Sequence, residues 1–143
     1  NKPEETAHAI DEDGYMHTGD VAIMDDEGYL NIVDRTKDMI IVGGFKVFSS
    51  KVEDVLSKHP AIGLLALIGE DNPERPGSEI VKAYIQLDPV FSFDGNQEAL
   101  KEDIKAWAKD KVAPYEAPKI IEIIEEMPLT AVGKIDKKVL RVK

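Results

Sequence analysis

Two strand-length runs rich in apolar residues, at positions 61–69 and 79–87, constrain the fold more than any other feature of this sequence. The segment EDNPERPGS between them is a loop by its proline and glycine content. We expect the two runs to pair antiparallel. A third run, KIIEIIEE, predicts another strand. Together the three runs predict a three-stranded, mainly antiparallel sheet.

Helical periodicity marks the segments that should flank this sheet. The stretch NQEALKEDIKAWAKDKV repeats its apolar residues at helical spacing, so that Leu100 and Trp107 should pack on the sheet as core residues. Residues 50–58 predict a second helix, with Ser50 and Glu53 as a capping box at its start. The segment DKKVLRV predicts a short helix near the end.

The first third of the chain has the pattern of a small antiparallel ribbon followed by short strands. Residues 20–34 read DVAIM, DDEG and YLNIV, which indicates a β-hairpin with Gly28 at positive φ. After DRTKD, the run MIIV predicts a short buried strand that ends at Gly43-Gly44, and FKVF reads as a strand edge. Strands and helices without regular β-α-β alternation predict an α+β fold.

Composition excludes several partners. The 18 basic and 28 acidic side chains leave a net charge of -10, which opposes binding to nucleic acid or to anionic lipid. The lack of cysteine excludes disulfides and thiolate metal sites. The longest apolar run is far shorter than the ~20 residues that span a bilayer, and the first ten residues have no signal-peptide pattern. We expect a cytoplasmic protein without a transmembrane segment. Any peripheral contact with a membrane would be made by a part of the protein outside this chain.

Metal and hydrolase chemistry find no support in the residue spacing. The acidic clusters DEDG and DDEG lack the ligand order of a calcium-binding EF-hand loop and read as solvated turns. The three histidines are scattered without zinc spacing, and no Ser-His-Asp order has further support. We therefore expect no metal site.

Three charged residues are candidates for binding an anion or a sugar, and each has a structural alternative. Lys134 follows Gly133 in a loop, where its ammonium could bind a phosphate or carboxylate or remain ordinary surface charge. Asp20, in HTGD, could accept hydrogen bonds from a sugar diol or cap a turn. Arg35 could bind the same ribose or a phosphate, or pair with Asp34 or with a neighbouring surface charge.

Three segments, in order, resemble the late motifs of the adenylate-forming acyl-CoA synthetase superfamily: GYMHTGD, DRTKDMIIVGGFKVFSSKVEDVL and PLTAVGKIDKKVLR. The resemblance covers nearly the whole chain from Gly14 onward and is closest to the medium- and long-chain fatty-acyl-CoA ligases. It implies an enzyme part: a carboxylic acid, here a fatty acid, reacts with Mg-bound ATP and then CoA, giving acyl-CoA, AMP and pyrophosphate through an acyl-adenylate. ATP and CoA are thus the implied cofactors, with none expected on this chain alone.

The resemblance also implies roles for individual residues. Lys134 matches the lysine needed for adenylation, where a cation that bridges the carboxylate and the α-phosphate stabilises developing charge. The other matches are the nucleotide-binding residues Asp20, Arg35 and Lys46, the hinge residue Lys37, and the CoA-channel segment Gly43, Gly44 and Phe45.

The implied domain organisation follows from the same motifs. Residues 1–33 would be the tail of a large AMP-binding domain, residues 34–38 a hinge, and residues 39–143 a mobile C-terminal domain that rotates between two half-reactions. The large N-terminal domain of the same polypeptide would be the partner, so this chain alone should catalyse nothing. Two alternatives remain: a non-catalytic module that binds CoA or carrier-protein phosphopantetheine, and an adenylating enzyme that loads a carrier protein.

Overall fold

The computed structural model describes residues 2–142, which form two compact units that divide between Lys37 and Asp38. This boundary falls within the segment 34–38 that the sequence analysis assigns to a hinge. The hinge role itself stays a prediction.

Unit 1 contains helix α1 (Pro3–Ala9) and the antiparallel strands β1 (Asp20–Met24) and β2 (Leu30–Arg35). The predicted hairpin is confirmed. Its turn is held by Asp25, whose Oδ1 accepts hydrogen bonds from the backbone N–H groups of Glu27 and Tyr29 at 3.0 and 2.8 Å, and Gly28 has φ 89°. Helix α1 was not predicted from the sequence.

Unit 2 contains, in chain order, β3 (Ile40–Val42), β4 (Phe45–Val47), α2 (Ser49–Leu56), β5 (Ile62–Asp71), β6 (Glu79–Leu87), α3 (Gln97–Lys109), β7 (Ile120–Ile123) and α4 (Lys137–Arg141). Strands β3 and β4 form a two-stranded antiparallel ribbon. The main sheet has the order β5-β6-β7, so the predicted three strands and the α+β class are confirmed.

The main sheet is mixed. Strands β5 and β6 pair antiparallel over most of their length, as expected, whereas β7 pairs with β6 in parallel. A parallel neighbour requires a long crossover, and α3 lies in the connection between β6 and β7. The antiparallel pair is the longer of the two, which is why the sheet is still mainly antiparallel.

Strand β5 is buried on both faces. Leu65 and Leu67 point into a core that includes the buried side of α3, whereas Ala66 and Ile68 point to the other face. The second cluster is completed by Tyr84 of β6 and by Met127 and Leu140, the latter in α4. Burial on two faces explains why the sequence of β5 is an unbroken apolar run rather than an alternating one.

The start of α2 differs from the prediction. The helix spans Ser49–Leu56 rather than residues 50–58, its N-cap is Phe48, and no side chain caps it, so the predicted capping box is wrong. Glu53 is used elsewhere: its Oε1 accepts a hydrogen bond from the Leu67 N–H at 2.6 Å and lies 2.7 Å from the Lys137 ammonium. The tertiary contacts of Glu53 therefore replace the local capping interaction that the sequence predicted.

Helix α3 matches its prediction closely. Asn96 caps it by accepting a hydrogen bond from the Ala99 N–H at 3.1 Å, and Leu100, Ile104 and Ala108 are buried. Trp107 packs against the same core, which confirms its structural assignment. Among residues 2–142, no helix has both the length and the apolar character that a membrane crossing requires.

Candidate functional site

Lys134 lies on a tight turn that its own backbone closes. The Thr130 N–H donates to the Lys134 carbonyl at 2.7 Å, and the Lys134 N–H donates to Thr130 Oγ1 at 3.2 Å. An isolated bridge between Leu129 and Ile135 extends this pairing by one step. The Lys134 ammonium is exposed and has no hydrogen-bond or ion-pair partner among residues 2–142. A well-defined turn thus presents a free cation.

The basic residues that follow Lys134 differ in environment. The Lys137 ammonium is largely buried and contacts Glu53 Oε1 at 2.7 Å and Ser49 Oγ at 2.9 Å. Arg141 donates to Asp38 Oδ1 at 2.6 Å. Lys138, by contrast, is exposed. Part of the basic tail is therefore structural, whereas the ammonium groups of Lys134 and Lys138 are exposed, and of these two it is Lys134 that lies on the closed turn.

Gly43 and Gly44 form the turn between β3 and β4, with φ values of 59° and 92° that favour glycine. The Gly43 N–H donates to Ser78 Oγ at 2.8 Å, which fixes the turn against the loop after β5. The Arg75 guanidinium lies directly beside Gly43: a Cβ built there would come within 2.8 Å of Nη1. The glycine therefore allows a cation to lie against the turn.

An aromatic pair borders the same turn. Phe45, which is 58% exposed, stacks on Tyr115 with ring centroids 4.7 Å apart and planes inclined by 18°. Phe45 was selected from the sequence, whereas Tyr115 and Arg75 were missed because both lie in loops far along the chain from the Gly43 motif. No local pattern marks such residues, since only tertiary folding brings them to the turn.

Lys46 follows Phe45 on β4 and is exposed. It lies opposite Ile41 in the β3–β4 ribbon. Because successive side chains of a strand point to opposite faces, Lys46 and Phe45 project from opposite sides of the ribbon. The two candidate roles, nucleotide binding and CoA binding, therefore map to different faces of one strand.

In unit 1, Asp20 and Arg35 face each other directly across the hairpin. Arg35 Nε donates to Asp20 Oδ1 at 3.1 Å, while Asp34 Oδ1 accepts a hydrogen bond from the Arg35 backbone N–H at 2.8 Å. Of the two ion pairs that the sequence left open for Arg35, with Asp34 or with a neighbouring surface charge, the guanidinium makes the second, with Asp20. The pair leaves the second carboxylate oxygen of Asp20 as a further acceptor.

A shallow groove of about 370 Å³ adjoins this pair and is lined by Thr18, Gly19, Arg35, Thr36 and Lys37. The structure thus brings Asp20, Arg35 and Lys37 close together within unit 1. Lys134, Lys46 and the segment 43–45 belong to unit 2. Within residues 2–142, no group of three or more His, Cys, Asp or Glu side chains is arranged to hold a metal ion.

Comparison with known proteins identifies the family. The family of AMP-binding enzyme C-terminal domains matches residues 51–134. The chain is 40% identical to the medium/long-chain-fatty-acid–CoA ligase FadD8 of Mycobacterium tuberculosis, over 100% of this chain and 25% of that protein. It is 42% identical to a long-chain-fatty-acid–CoA ligase of Bacillus subtilis, over 94% of this chain and 22% of the relative.

Solved structures agree. An ATP-bound RpMatB-BxBclM chimera superposes with a TM-score of 0.84 at 32% identity, over 99% of this chain and 27% of the other. A fatty acyl CoA synthetase of Mycobacterium tuberculosis gives a TM-score of 0.68 at 36% identity, over 99% of this chain and 26% of the other. The chain spans about a quarter of the length of these relatives. The superfamily predicted from the three motifs is confirmed, and the chain belongs to the AMP-binding enzyme C-terminal domain family.

Proposed function

We propose that this chain is the mobile C-terminal domain, with a short preceding segment, of an ATP-dependent fatty-acid–CoA ligase of the cytoplasm. The relatives of Mycobacterium tuberculosis and Bacillus subtilis that match at 40% and 42% identity are named fatty-acid–CoA ligases, and the chain matches about a quarter of their length. The rest of the active site would lie on a large N-terminal domain of the same polypeptide. This domain binds Mg-bound ATP and the fatty acid, and the present chain supplies the groups that distinguish two successive steps.

In the first step, a fatty-acid carboxylate oxygen attacks the α-phosphate of ATP, and pyrophosphate leaves. Negative charge on the two reacting groups then lies close together, and a cation held between them lowers the barrier. Lys134 supports this role because its ammonium is free and exposed on a closed turn. This free cation is the observation that carries the proposal.

In the second step, the CoA thiol attacks the acyl carbonyl, a carbon–sulfur bond forms, and AMP leaves. We assign the entry of CoA to the surface of Gly43, Gly44 and Phe45. The glycines let the backbone approach the pantetheine arm closely. Arg75 strengthens the assignment, because a guanidinium without an ion-pair partner in the described chain is suited to the phosphates of CoA.

The remaining candidate residues would bind the nucleotide or allow the rotation between the first and the second step. Asp20, oriented by Arg35 at 3.1 Å, would accept hydrogen bonds from the ribose hydroxyls, and Lys46 would contact the nucleotide from β4. Lys37 is the last residue of unit 1, so a change in its backbone angles would rotate unit 2 as a rigid body. The rotation would replace Lys134 by the Gly43 surface.

The proposal is tested by replacing Lys134 with Ala in the full-length enzyme. Adenylation is measured as the fatty-acid-dependent exchange of pyrophosphate into ATP. Its rate should fall by a factor of about 10² to 10³, the scale for loss of one electrostatic stabiliser. Thioester formation from supplied acyl-adenylate should be unchanged. Lys138→Ala is the matched control, because Lys138 is an exposed lysine of the same tail.

Equal losses in both steps would contradict the division of labour between the two surfaces. The acceptor is tested separately by offering CoA and a carrier protein that bears phosphopantetheine. Turnover with the carrier protein alone would favour the carrier-loading alternative. If the full-length protein binds CoA but exchanges no pyrophosphate with any fatty acid, the non-catalytic binding module is the correct reading.

A further inference from the structure

We infer that Lys137 is a positioning residue for Lys134, and that the Lys137–Glu53 pair sets where the adenylation lysine lies. This inference rests on the proposed function, because it assumes that Lys134 acts in adenylation. Lys137 itself is too enclosed to touch a substrate: its side chain is 16% exposed, and its ammonium is held by groups of this chain.

The turn that carries Lys134 is closed by hydrogen bonds between its own residues. The hydrogen bonds between Thr130 and Lys134 close it, and the Asp136 N–H donates to the Pro128 carbonyl at 2.8 Å across its base. Internal hydrogen bonds fix the shape of the turn but not its direction relative to the rest of unit 2. That direction depends on what holds the base.

Lys137 attaches the base of the turn to the core. It is the first residue of α4, directly after Asp136, which caps that helix by accepting a hydrogen bond from the Lys138 N–H at 3.0 Å. The Lys137 ammonium reaches α2 through Glu53 and through Ser49, whose side chain is fully buried. Glu53 is itself fixed to β5 by the Leu67 N–H at 2.6 Å. The turn is thus linked to two core elements at one point.

The location of this cation is otherwise unfavourable. A lysine at the first position of a helix faces the positive end of the helix dipole, and burial of an ammonium costs hydration. The ion pair with Glu53 offsets both costs. The charge is therefore kept in this location by its partners, and the segment joined to it most directly is the turn that carries Lys134, three residues earlier.

Other contacts keep α4 in place without Lys137. Leu140 is buried in the second core cluster, and Arg141 binds Asp38 at the opposite end of the helix. Met127, before the turn, is also buried, and its N–H donates to Gln86 Oε1 at 2.7 Å. Loss of the Lys137 pair should therefore leave unit 2 folded while the turn shifts or becomes less constrained.

The test uses Lys137→Met in the full-length enzyme, with Lys138→Met as the matched control. The adenylation kcat should fall by about 10- to 100-fold, because a displacement of about 1 Å in a reacting group can reduce the rate on that scale. Thioester formation from supplied acyl-adenylate should stay within about twofold, as should the adenylation kcat of the control. Lys137→Arg, which can still pair with Glu53, should recover most of the lost adenylation rate.

A double variant separates positioning from general damage. If Lys137 acts only through Lys134, adding Lys137→Met to Lys134→Ala should cause no further loss of adenylation, because the effects of residues that act as a unit are not additive. A further tenfold loss in the double variant would overturn the inference. An unchanged adenylation rate in Lys137→Met, or an equal loss in both half-reactions, would also overturn it.

A second route applies if Lys137→Met does not fold. Glu53→Gln keeps an acceptor for the Leu67 N–H but removes the charge that holds Lys137. The same selective loss of adenylation is expected, smaller in size, and its absence in a folded Glu53→Gln enzyme would refute the inference. The proposed function fails separately, since in that case Lys134→Ala itself would leave adenylation unchanged.

Discussion

Gly43→Ala should weaken the CoA step without affecting adenylation, because the new methyl group would displace Arg75. The Cβ would lie 2.8 Å from Arg75 Nη1 and 3.6 Å from its Cζ. Carbon and nitrogen atoms prefer a separation of about 3.5 Å, so the guanidinium must move by about 0.7 Å or more. Its long side chain can move, which means that the change alters the position of the cation rather than preventing folding.

The backbone adds a second, separable cost. Gly43 has φ 59°, in the left-handed region, where an alanine costs roughly 1–2 kcal/mol. Gly95 has φ 90°, and the space that an added methyl group would take there is open. Gly95→Ala therefore also strains the backbone, at a φ further from the left-handed region that L residues can adopt, without contact to Arg75. Similar unfolding midpoints for the two variants would show that stability does not explain a difference in activity.

The assay is the CoA dependence of thioester formation by the full-length enzyme, measured beside pyrophosphate exchange. We expect the KM for CoA to rise about tenfold in Gly43→Ala, equivalent to ~1.4 kcal/mol, which is modest for a contact between an exposed guanidinium and a phosphate. Pyrophosphate exchange should be unchanged, and Gly95→Ala should resemble the wild type in both assays.

A double variant identifies Arg75 as the cause. Arg75→Ala should raise the KM for CoA by a similar factor, and adding Gly43→Ala should raise it little further, since the cation is already gone. If Gly43→Ala leaves the KM for CoA unchanged, or if its effect adds fully to that of Arg75→Ala, the reasoning from the 2.8 Å contact is refuted.

Two further predictions concern stability and can be checked by urea unfolding of unit 2. Lys82 on β6 binds Glu70 at 2.9 Å and Glu122 at 3.2 Å, and the hydrogen bond with Glu70 is the main reason why its pKa is raised above the ordinary lysine value. Lys82→Met should lower the free energy of unfolding by ~1 kcal/mol, since both carboxylates are partly exposed. This loss should be constant from about pH 7 to 9. It should shrink only above pH ~10.4, where Lys82 loses its proton in the unfolded wild type before it does so in the folded state. A loss that grows with pH in this range would contradict the assignment. Leu67→Ala, at a fully buried position in β5, should cost about 3 kcal/mol, and a cost below ~1 kcal/mol would show that the core had collapsed onto the cavity.

The sequence predicted the elements whose signals are local. The hairpin of β1 and β2, the antiparallel pair of β5 and β6, and the capped helix α3 each carry their own turn residues or periodicity. Helix α1 was missed although Pro3 at its start and the acidic residues Glu4 and Glu5 in its first turn are helix-start signals. The segment is short and has no buried residue, so it lacks the apolar periodicity on which the prediction relied.

Features that depend on tertiary structure could not be derived from local sequence patterns. The direction of β7 could not be derived from its own residues, because parallel pairing depends on how the chain returns after α3. The capping box failed because Glu53 has stronger partners in Leu67 and Lys137 than the end of its own helix. Local rules describe what a side chain can do, and the fold decides which of its options is used.

The same distinction applies to the candidate site. Motif resemblance selected Lys134 and the segment 43–45, because these residues are contiguous with a recognisable pattern. Motif resemblance could not select Arg75 and Tyr115, since these residues reach the Gly43 turn only through the packing of distant loops. The role of Lys137 was hidden for a further reason: in the sequence it is one of several basic residues, and only its enclosure by Glu53 and Ser49 distinguishes it from Lys138.

The ribbon of β3 and β4 illustrates why the proposed exchange between the two reaction steps requires little change of structure within unit 2. Phe45 and Lys46 are adjacent, yet strand geometry directs them to opposite faces. Neither residue needs to change its rotamer or its strand pairing for one or the other to be presented to a partner, because rotating the whole unit is sufficient. A short, hydrogen-bonded ribbon is therefore suited to carry groups for two reactions. The free energy that selects between the two orientations must come from the bound nucleotide or CoA and the partner domain, because a ligand shifts such an equilibrium only by its difference in affinity for the two states.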